Sequence, residues 1–310
     1  MAEILDGLKL ANKIKRELKE RIAREGISAA LAVVLVGSDP ASEIYVRGKI
    51  ADCEEVGIKS ELVRFGADAS EDELTRKIAE LNEDKSITGI LVQLPLPAQF
   101  CESAVLNAIS PEKDVDGFHY INRGKLFSEQ TGAPRRAPTH AATPVVVGAD
   151  GTPPAGRLPS SPTCAPCTPL GIIELLREYK IEIEGKNCVV IGRSNIVGKP
   201  MAMMLLQENG TVTICHSKTR GLAEITRRAD ILVCAIGKPH FITADMVKRG
   251  AVVIDVGMNR VEDGVLGVLV GDVAFADVSK KAAFLTPVPG GVGPMTRAML
   301  LRNVLDLISQ

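Results

Sequence analysis

The chain has 310 residues, a length typical of about two domains. Hydrophobic residues make up 45% and charged residues 24% of it, as in an ordinary soluble globular protein. The 37 Lys and Arg are balanced by 38 Asp and Glu, and aromatic residues reach only 3%. Both the basic surface and the stacking aromatics of nucleic-acid-binding proteins are lacking, so we expect no nucleic-acid partner.

Cysteine usage predicts a reduced, cytoplasmic protein. The seven cysteines are an odd number, and Cys188, Cys215 and Cys234 lie in or beside apolar runs, where cysteine behaves as a small hydrophobic residue. Cys164 and Cys167 have the spacing of half a metal or redox site, but no second pair accompanies them, and we expect no bound metal. Neither a signal peptide nor an apolar run of membrane-spanning length is recognisable, so we expect no membrane partner.

Helical and strand patterns alternate in the first part of the chain. Apolar residues recur every three or four positions over 6–25, and an unbroken apolar run at 30–36 indicates a strand buried on both faces. Asp39 and Pro40 suit a helix start, and Ser70 with Glu73 forms a capping box. The predicted elements are a helix at 6–25, a strand at 30–36, a helix at 41–56, a strand at 58–65, a helix at 71–84 and a strand at 87–93. Such alternation predicts a parallel α/β sheet.

The stretch 127–163 interrupts this pattern. It contains seven prolines and almost no periodicity, which favours a flexible insertion over an ordered lid. Order resumes at Thr168-Pro169 with a helix that runs to about 179. The later predicted elements are strands at 187–191, 211–215, 231–236 and 251–256, an apolar stretch near 283–288 and a final apolar helix at about 295–308.

A glycine turn follows the strand that ends at Ile191. It reads Gly192-Arg193-Ser194-Asn195-Ile196-Val197-Gly198 and leads into a helix. A turn of this kind lets backbone N–H groups and a helix N-terminus face a pyrophosphate. Its glycine spacing departs from both the G-x-G-x-x-G motif and the P-loop, so a plain tight turn remains the alternative to a dinucleotide site.

The next strand bears on the choice between NAD and NADP. NAD enzymes place an acid near its end to hold the ribose 2′-hydroxyl, but here the strand ends Cys215-His216-Ser217-Lys218. Ser217 can donate to a 2′-phosphate, and Arg193 can pair with one. The pattern favours NADP, with a solvated polar loop as the alternative.

Tyr45 and Lys49 are i and i+4 on the predicted helix after the first strand, so they share a face. In isolation they suggest a surface pair. However, ligands in open α/β sheets bind beyond the carboxyl ends of the strands, where Gln93 also lies. A lysine with a lowered pKa can act as a base, and a glutamine amide can orient it.

Two further turns are candidates for ligand contacts. Asp114-Val115-Asp116-Gly117 is first of all a turn, and a carboxylate in it can also pair with the N–H edge of a heterocycle. The loop 286–296 carries Gly290, Gly291 and Gly293, which let a backbone approach a ligand closely. A flexible hinge is the alternative for this loop.

Six segments together resemble the bifunctional methylenetetrahydrofolate dehydrogenase/cyclohydrolase family. They follow the family's order and extend over nearly all of the chain outside 127–163, so the combination is highly specific although each segment is short. The segments are Ser42-Glu-Ile-Tyr45-Val-Arg-Gly-Lys49, Gln93-Leu-Pro-Leu-Pro97, Pro111-Glu-Lys-Asp-Val-Asp116-Gly-Phe, Pro166-Cys-Thr-Pro-Leu-Gly171, Gly192-Arg-Ser-Asn-Ile-Val-Gly198 and Pro287-Val-Pro-Gly-Gly-Val-Gly-Pro-Met-Thr296.

The resemblance implies two reactions on one folate in one-carbon metabolism and purine biosynthesis. A hydride passes from 5,10-methylenetetrahydrofolate to NADP⁺, and water then opens the methenyl product to 10-formyltetrahydrofolate. The resemblance also implies a homodimer. Lys49 would be the general acid/base of the hydrolysis, tuned by Gln93, while Tyr45 would position the folate and Asp116 would hold the pterin edge. Further substrate contacts are implied for Leu94, Pro95, Pro289, Gly290, Gly291, Val292 and Gly293, and cofactor contacts for Gly192, Arg193, Ser194, Gly198, Ser217 and Met258.

The implied fold is α/β with two domains. Residues 1–126 would form a folate-binding α/β domain joined by the C-terminal helix 294–310, which packs back on it, and residues 164–293 a Rossmann-like NADP-binding domain. The insertion 127–163 departs from the family, whose connection there is much shorter. Three alternatives remain: a monofunctional dehydrogenase using NADP or NAD, a shikimate-dehydrogenase-like enzyme of the same two-domain plan, and a non-catalytic folate- or nucleotide-binding protein.

Overall fold

The computed structural model describes residues 1–128, 164–261 and 267–308. The strands in these ranges are β1 (Glu3–Ile4), β2 (Ala30–Val36), β3 (Lys59–Phe65), β4 (Gly89–Val92), β5 (Asn187–Ile191), β6 (Thr211–Cys215), β7 (Ile231–Cys234), β8 (Val252–Asp255), β9 (Asn259–Val261), β10 (Val268–Val270) and β11 (Phe284–Leu285). The α-helices are α1 (Gly7–Glu25), α2 (Pro40–Val56), α3 (Glu71–Glu83), α4 (Glu102–Ala108), α5 (Tyr120–Ser128), α6 (Cys167–Glu178), α7 (Gly198–Gln207), α8 (Leu222–Thr226), α9 (Phe275–Val278) and α10 (Val292–Asp306). None of these described helices is long and apolar enough to cross a lipid bilayer.

The first domain is built on a parallel sheet with β2 in its centre. Among the described residues the strand order is β3-β2-β4. Alternate residues of β2 point to opposite faces, as the period of a strand requires. Leu31, Val33 and Leu35 pack with α1, α2 and α10 on one face, and the intervening residues pack with α3 and α4 on the other. The unbroken apolar run at 30–36 is therefore confirmed as a doubly covered strand.

The second domain contains a larger parallel sheet. Its order in the described ranges is β1-β11-β8-β7-β5-β6, and every neighbouring pair is parallel. Its central strands are buried on both faces. The carboxyl ends of β5, β6, β7 and β8 all lie at one edge of this sheet, which is where ligands bind in open α/β folds. The two-domain α/β fold class is confirmed.

Local signals set the helix boundaries. Asp39 accepts a hydrogen bond from the backbone N–H of Ser42, and Pro40 opens α2. Ser70 and Glu73 make both bonds of the predicted capping box at the start of α3. These residues satisfy N–H groups that the first helical turn leaves without partners.

The last helix leaves the second domain and packs on the first. α10 contacts α1, α2 and α6, which confirms the expected return of the C-terminal helix. It begins at Val292 rather than near 295. Pro294 is compatible with this earlier start, because the N–H that proline lacks has no helical partner in a first turn.

Short elements were missed by the sequence patterns, and β1 is the most consequential. Glu3 and Ile4 pair with Phe284 and Leu285 of β11, so the start of the chain contributes to the second sheet although the first domain was predicted from residue 1. α5 extends to Ser128, so residues 127 and 128 of the predicted insertion are helical. The rest of the insertion, 129–163, lies outside the described residues, and the domain boundaries remain a prediction.

Candidate active site

One face of α2 carries the predicted acid/base pair. Tyr45, Gly48, Lys49 and Asp52 follow the spacing i, i+3, i+4 and i+7, which aligns them along one side of a helix. Lys49 Nζ donates a 3.0 Å hydrogen bond to Oε1 of Gln93. Gln93 directly follows β4, so the structure brings these two predicted residues together at the carboxyl end of the first sheet.

Gln93 is held in one orientation by its own bonds. Its backbone N–H donates to the carbonyl oxygen of Val34 at 2.8 Å, and its Nε2 donates to the carbonyl oxygen of Leu94 at 2.6 Å. Because the amide N–H₂ is used in this way, Oε1 faces Lys49 as an acceptor. Leu94 is half-buried and the next residue, Pro95, is exposed.

The turn after residue 113 separates the roles of its two acids. Asp114 is 1% exposed and accepts hydrogen bonds from the backbone N–H groups of Phe118 and His119 at 3.1 and 2.8 Å. Asp114 therefore holds the turn. Asp116 is only half-buried, and its carboxyl group interacts with the ammonium of Lys49: burial raises the pKa of Asp116, and the Lys49 cation opposes that rise.

A cleft separates Tyr45 from the loop 287–293 of the second domain. The predicted loop residues all line it: Pro289, Gly290, Gly291, Val292 and Gly293. Met258 also lines this cleft, and its sulfur accepts a hydrogen bond from the Tyr45 hydroxyl. As far as the described residues define its walls, the cleft includes Tyr45 but not Lys49, Gln93 or Asp116.

The glycine turn after β5 is tightly folded. Gly192 has φ +131°, and a Cβ there would clash with the carbonyl oxygen of Ala235. A Cβ on Gly198 would clash with the carbonyl oxygen of Gly192. Ser194 Oγ accepts hydrogen bonds from the backbone N–H groups of Val197 and Gly198 at 3.1 and 3.3 Å. Ser194 thus caps α7.

The same turn retains donors for an anion. In the described part of the chain, the backbone N–H groups of residues 193–196 have no hydrogen-bond partner. Four consecutive unpaired donors at an exposed turn between a strand and a helix fit the diphosphate of a dinucleotide.

Arg193 and Ser217 follow two neighbouring strands, β5 and β6, at this edge. Ile191 pairs with Cys215, and the N–H of Gly192 donates to the Cys215 carbonyl oxygen at 2.9 Å, so the two following segments run side by side. Both side chains are exposed. β8, which leads to Met258, lies two strand positions from β5, or about 10 Å. A dinucleotide lying along this edge would reach from the glycine turn to the cleft.

Two buried carboxylates beneath the edge were not predicted. Asp272 is 0% exposed and accepts hydrogen bonds from the backbone N–H groups of Ile236, Gly237 and Lys238. Asp255 accepts from the N–H groups of Gly257, Asp272 and Val273. Together they tie the loop after β7 to the segment that carries Met258. Their only sequence signal is an acid at the end of an apolar strand.

Burial raises the pKa of Asp255 to about 6, above the roughly 3.9 of an unfolded chain. As the pH rises from about 4 to about 6, the unfolded chain loses this proton before the folded protein does, so the free energy of unfolding contributed by Asp255 falls. We therefore expect the stability of the Asp255→Asn variant, relative to the wild type, to increase over this pH interval and stay constant above it. Urea unfolding of both proteins at several pH values measures this difference; a difference independent of pH would contradict it.

Arg297 was also missed. Its Nε lies 3.1 Å from Oδ2 of Asp52, a side chain only 8% exposed, and the guanidinium occupies the space where a Cβ of Gly48 would be. This ion pair connects α10, which follows the cleft loop, to the α2 face that carries Lys49. Nothing in the sequence pattern marks Arg297, because pairing across helices distant in sequence depends on the tertiary fold.

Cys164 and Cys167 are both buried. Desolvation raises the pKa of each thiol, which is typical of inert structural cysteines rather than of metal ligands or redox pairs. No cluster of three or more potential metal ligands occurs among the residues that the structure describes.

The chain matches known proteins over both domains. Residues 5–116 match the tetrahydrofolate dehydrogenase/cyclohydrolase catalytic domain, and residues 166–310 match the NAD(P)-binding domain of the same family. The bifunctional protein FolD of Streptococcus agalactiae is 50% identical over 307 residues, covering 98% of this chain and 96% of that protein.

Solved structures of enzymes of the same family are also similar to this chain. The bifunctional FolD enzyme of Campylobacter jejuni is 46% identical with a TM-score of 0.86, covering 100% of this chain and 99% of that one. The Trypanosoma brucei dehydrogenase-cyclohydrolase, solved with NADP and an inhibitor, is 36% identical with a TM-score of 0.85, covering 99% and 97%. Sequence and structure thus agree over the full length, and the chain belongs to the tetrahydrofolate dehydrogenase/cyclohydrolase family.

Proposed function

We propose that the protein oxidises 5,10-methylenetetrahydrofolate with NADP⁺ and hydrolyses the methenyl product to 10-formyltetrahydrofolate. The observation that carries this proposal is the Lys49–Gln93 hydrogen bond, made beside a cleft whose other wall belongs to a dinucleotide-binding domain. The bifunctional names of the curated relative and of the Campylobacter structure support the same two activities.

Lys49 serves the hydrolysis. Its Nζ, acting as the neutral amine, takes a proton from water as the oxygen adds to the methenyl carbon, and returns it to N5 when the bond between that carbon and N5 breaks. The second proton of the water leaves to solvent as the formyl C=O forms. Gln93 Oε1 holds Nζ in place, since the Gln93 amide is itself fixed. Proton transfer of this kind requires the base within hydrogen-bond reach of its substrate.

The remaining site residues bind and orient the folate. Asp116 accepts hydrogen bonds from the N–H edge of the pterin, a role supported by its proximity to Lys49. Tyr45 and the loop 289–293 enclose the middle of the substrate in the cleft. Leu94 and Pro95 extend the surface beside Gln93. Orientation of this kind lowers the entropic cost of reaching the transition state.

The second domain holds the dinucleotide. The diphosphate binds the unpaired N–H groups of the glycine turn between Gly192 and Gly198, Ser194 shapes that turn, and Met258 borders the nicotinamide. Bound NADP⁺ supplies the hydride acceptor. Arg193 and Ser217 bind the 2′-phosphate, which makes NADP the preferred cofactor.

The direct test is turnover of 5,10-methylenetetrahydrofolate with NADP⁺ and, separately, with NAD⁺. Reduced nicotinamide and methenyltetrahydrofolate are followed together. NADPH formed without matching methenyl accumulation supports both activities in one chain. Equimolar methenyl accumulation would instead identify a monofunctional dehydrogenase and remove the hydrolytic role of Lys49. No reduction of either cofactor would indicate a binding protein.

Arg193→Ala tests the cofactor preference. Loss of the guanidinium removes a charge-assisted contact to the 2′-phosphate, so we expect the KM for NADP⁺ to rise about 10- to 100-fold while the KM for NAD⁺ stays nearly unchanged. Arg249→Ala is the matched control, because Arg249 is exposed and lies three residues before β8, at the opposite end of the sheet. Equal effects on both cofactors would contradict the 2′-phosphate role.

The homodimer and the link to purine biosynthesis stay predictions from the sequence resemblance, and the cytoplasmic location stays a prediction from cysteine usage.

A further inference from the structure

Asn303 is a buried polar residue in the last turn of α10. It is 3% exposed, and its amide nitrogen donates to two backbone carbonyls from distant parts of the chain. One bond reaches the carbonyl oxygen of Val115 at 2.8 Å and the other that of Ala165 at 3.0 Å. The same nitrogen lies 3.5 Å from the sulfur of Cys167. Both amide protons of Asn303 are thereby used.

The carbonyls of Val115 and Ala165 lie where the Asp116 turn packs closely against residues 164–166. Gly117 has φ +69°, and a Cβ there would meet the backbone at residues 164–166. The thiol of Cys167 also donates to the Val115 carbonyl oxygen at 3.4 Å. The carbonyl of Val115 belongs to the peptide unit that immediately precedes Asp116. Its two buried partners therefore set the plane of that peptide.

The opposite side of the turn has its own support. Asp114 holds the backbone N–H groups of Phe118 and His119, as well as Asn122 Nδ2 at 2.9 Å. The backbone around Asp116 is thus held by the Asp114 carboxylate on one side and by the Asn303 amide on the other. α10 additionally begins in the cleft loop at Val292. Eleven residues on, about 16 Å along a helix, the same rigid element reaches the Asp116 turn.

We propose that Asn303 is a positioning residue that aims the Asp116 carboxylate at the folate and ties it to the cleft loop through α10. Asn303 does not touch the substrate in this arrangement; it acts through Val115 and Ala165. The inference rests on the proposed binding of the pterin by Asp116. It assigns the specificity of the site partly to a residue three turns inside the C-terminal helix α10, distant in sequence from the Asp116 turn.

The test is the Asn303→Leu variant, which keeps a similar volume but leaves the Ala165 carbonyl without its buried donor and the Val115 carbonyl with only the weak Cys167 thiol. We expect the KM for 5,10-methylenetetrahydrofolate to rise about 10-fold or more, while the KM for NADP⁺ stays within about a factor of two. Asn303→Ser, which retains one short donor, is expected to fall between the wild type and Asn303→Leu. It also keeps the proposal testable where Asn303→Leu does not fold.

The matched control is Asn82→Leu. Asn82 is a half-buried amide that, like Asn303, donates to a backbone carbonyl, that of Ala108 at 2.8 Å. It also accepts from the Ser110 N–H, but it lies on α3 away from the cleft. The Asn82→Leu variant should be less stable than the wild type, but its KM values for 5,10-methylenetetrahydrofolate and for NADP⁺ should not change. Unchanged folate KM values in both Asn303 variants, or equal rises for folate and NADP⁺, would overturn the proposal. A wild-type protein without turnover would overturn the proposed function instead.

Discussion

The Lys49→Ala variant is expected to lose hydrolysis of 5,10-methenyltetrahydrofolate by about 10²- to 10⁴-fold, the usual contribution of a positioned acid/base. Lys49 is the base that the structure holds against Gln93, and alanine offers no group that exchanges a proton. Hydride transfer is expected to fall much less, since the substrate nitrogen lone pair drives it and the enzyme contributes positioning. The two activities should therefore separate in one variant.

The measurement is the rate of methenyl disappearance when methenyltetrahydrofolate is supplied directly, alongside NADPH formation from the methylene substrate. Lys77→Ala serves as the control, because Lys77 is a half-buried lysine on α3 whose Nζ lies 3.3 Å from Oε2 of Glu80. Wild-type hydrolysis in Lys49→Ala would remove Lys49 from the mechanism. A Gln93→Ala variant with unaltered hydrolysis would remove only its orienting partner.

The Gly192→Ala variant is expected to lose dehydrogenase activity and to keep hydrolysis, the reverse of Lys49→Ala. Its Cβ would clash with the Ala235 carbonyl oxygen at a backbone angle that L-residues rarely adopt. Relief of that clash displaces the turn whose N–H groups would hold the diphosphate. We expect the dehydrogenase kcat/KM for NADP⁺ to fall about 100-fold or more, while hydrolysis of supplied methenyltetrahydrofolate, which needs no redox step, keeps most of its rate.

Gly26→Ala is the control for strain alone. Gly26 also has a positive φ, +62°, but nothing lies within 4 Å of the added Cβ, so only a cost of about 1 kcal/mol in stability is expected. Thermal unfolding of both variants separates loss of fold from loss of cofactor binding. A Gly192→Ala protein with an unchanged KM for NADP⁺ would show that the turn is structural.

Features that depend on neighbouring residues were predictable from the sequence. The starts of α2 and α3 follow from Asp39, Pro40 and the Ser70–Glu73 box, because caps act within one turn. The meeting of Lys49 and Gln93 follows from a topological rule. Gln93 lies just beyond the carboxyl end of β4, the helix that carries Lys49 begins beyond the carboxyl end of β2, and such ends share one edge of a parallel sheet.

Features that depend on distant residues were not predictable. β1 has two residues, too few for any periodicity, and exists because β11 offers it a pairing edge. The burial of Asp255 and Asp272 also has no local signature, since acids are usually at the surface and only the assembled loops supply their N–H donors. The contact between Tyr45 and Met258, which joins the two domains, was also not predictable, because the two residues are far apart in the sequence.

The pairing of β1 with β11 has a consequence for how the protein is made on the ribosome. Glu3 leaves the exit tunnel early, but its partner Phe284 is synthesised 281 positions later. α10, which covers α1 and α2 of the first domain, emerges later still. The apolar face of the first domain that α10 later covers therefore stays exposed until nearly the whole chain has been synthesised. Such long-range closure slows folding and leaves apolar surface exposed to aggregation until the chain is complete.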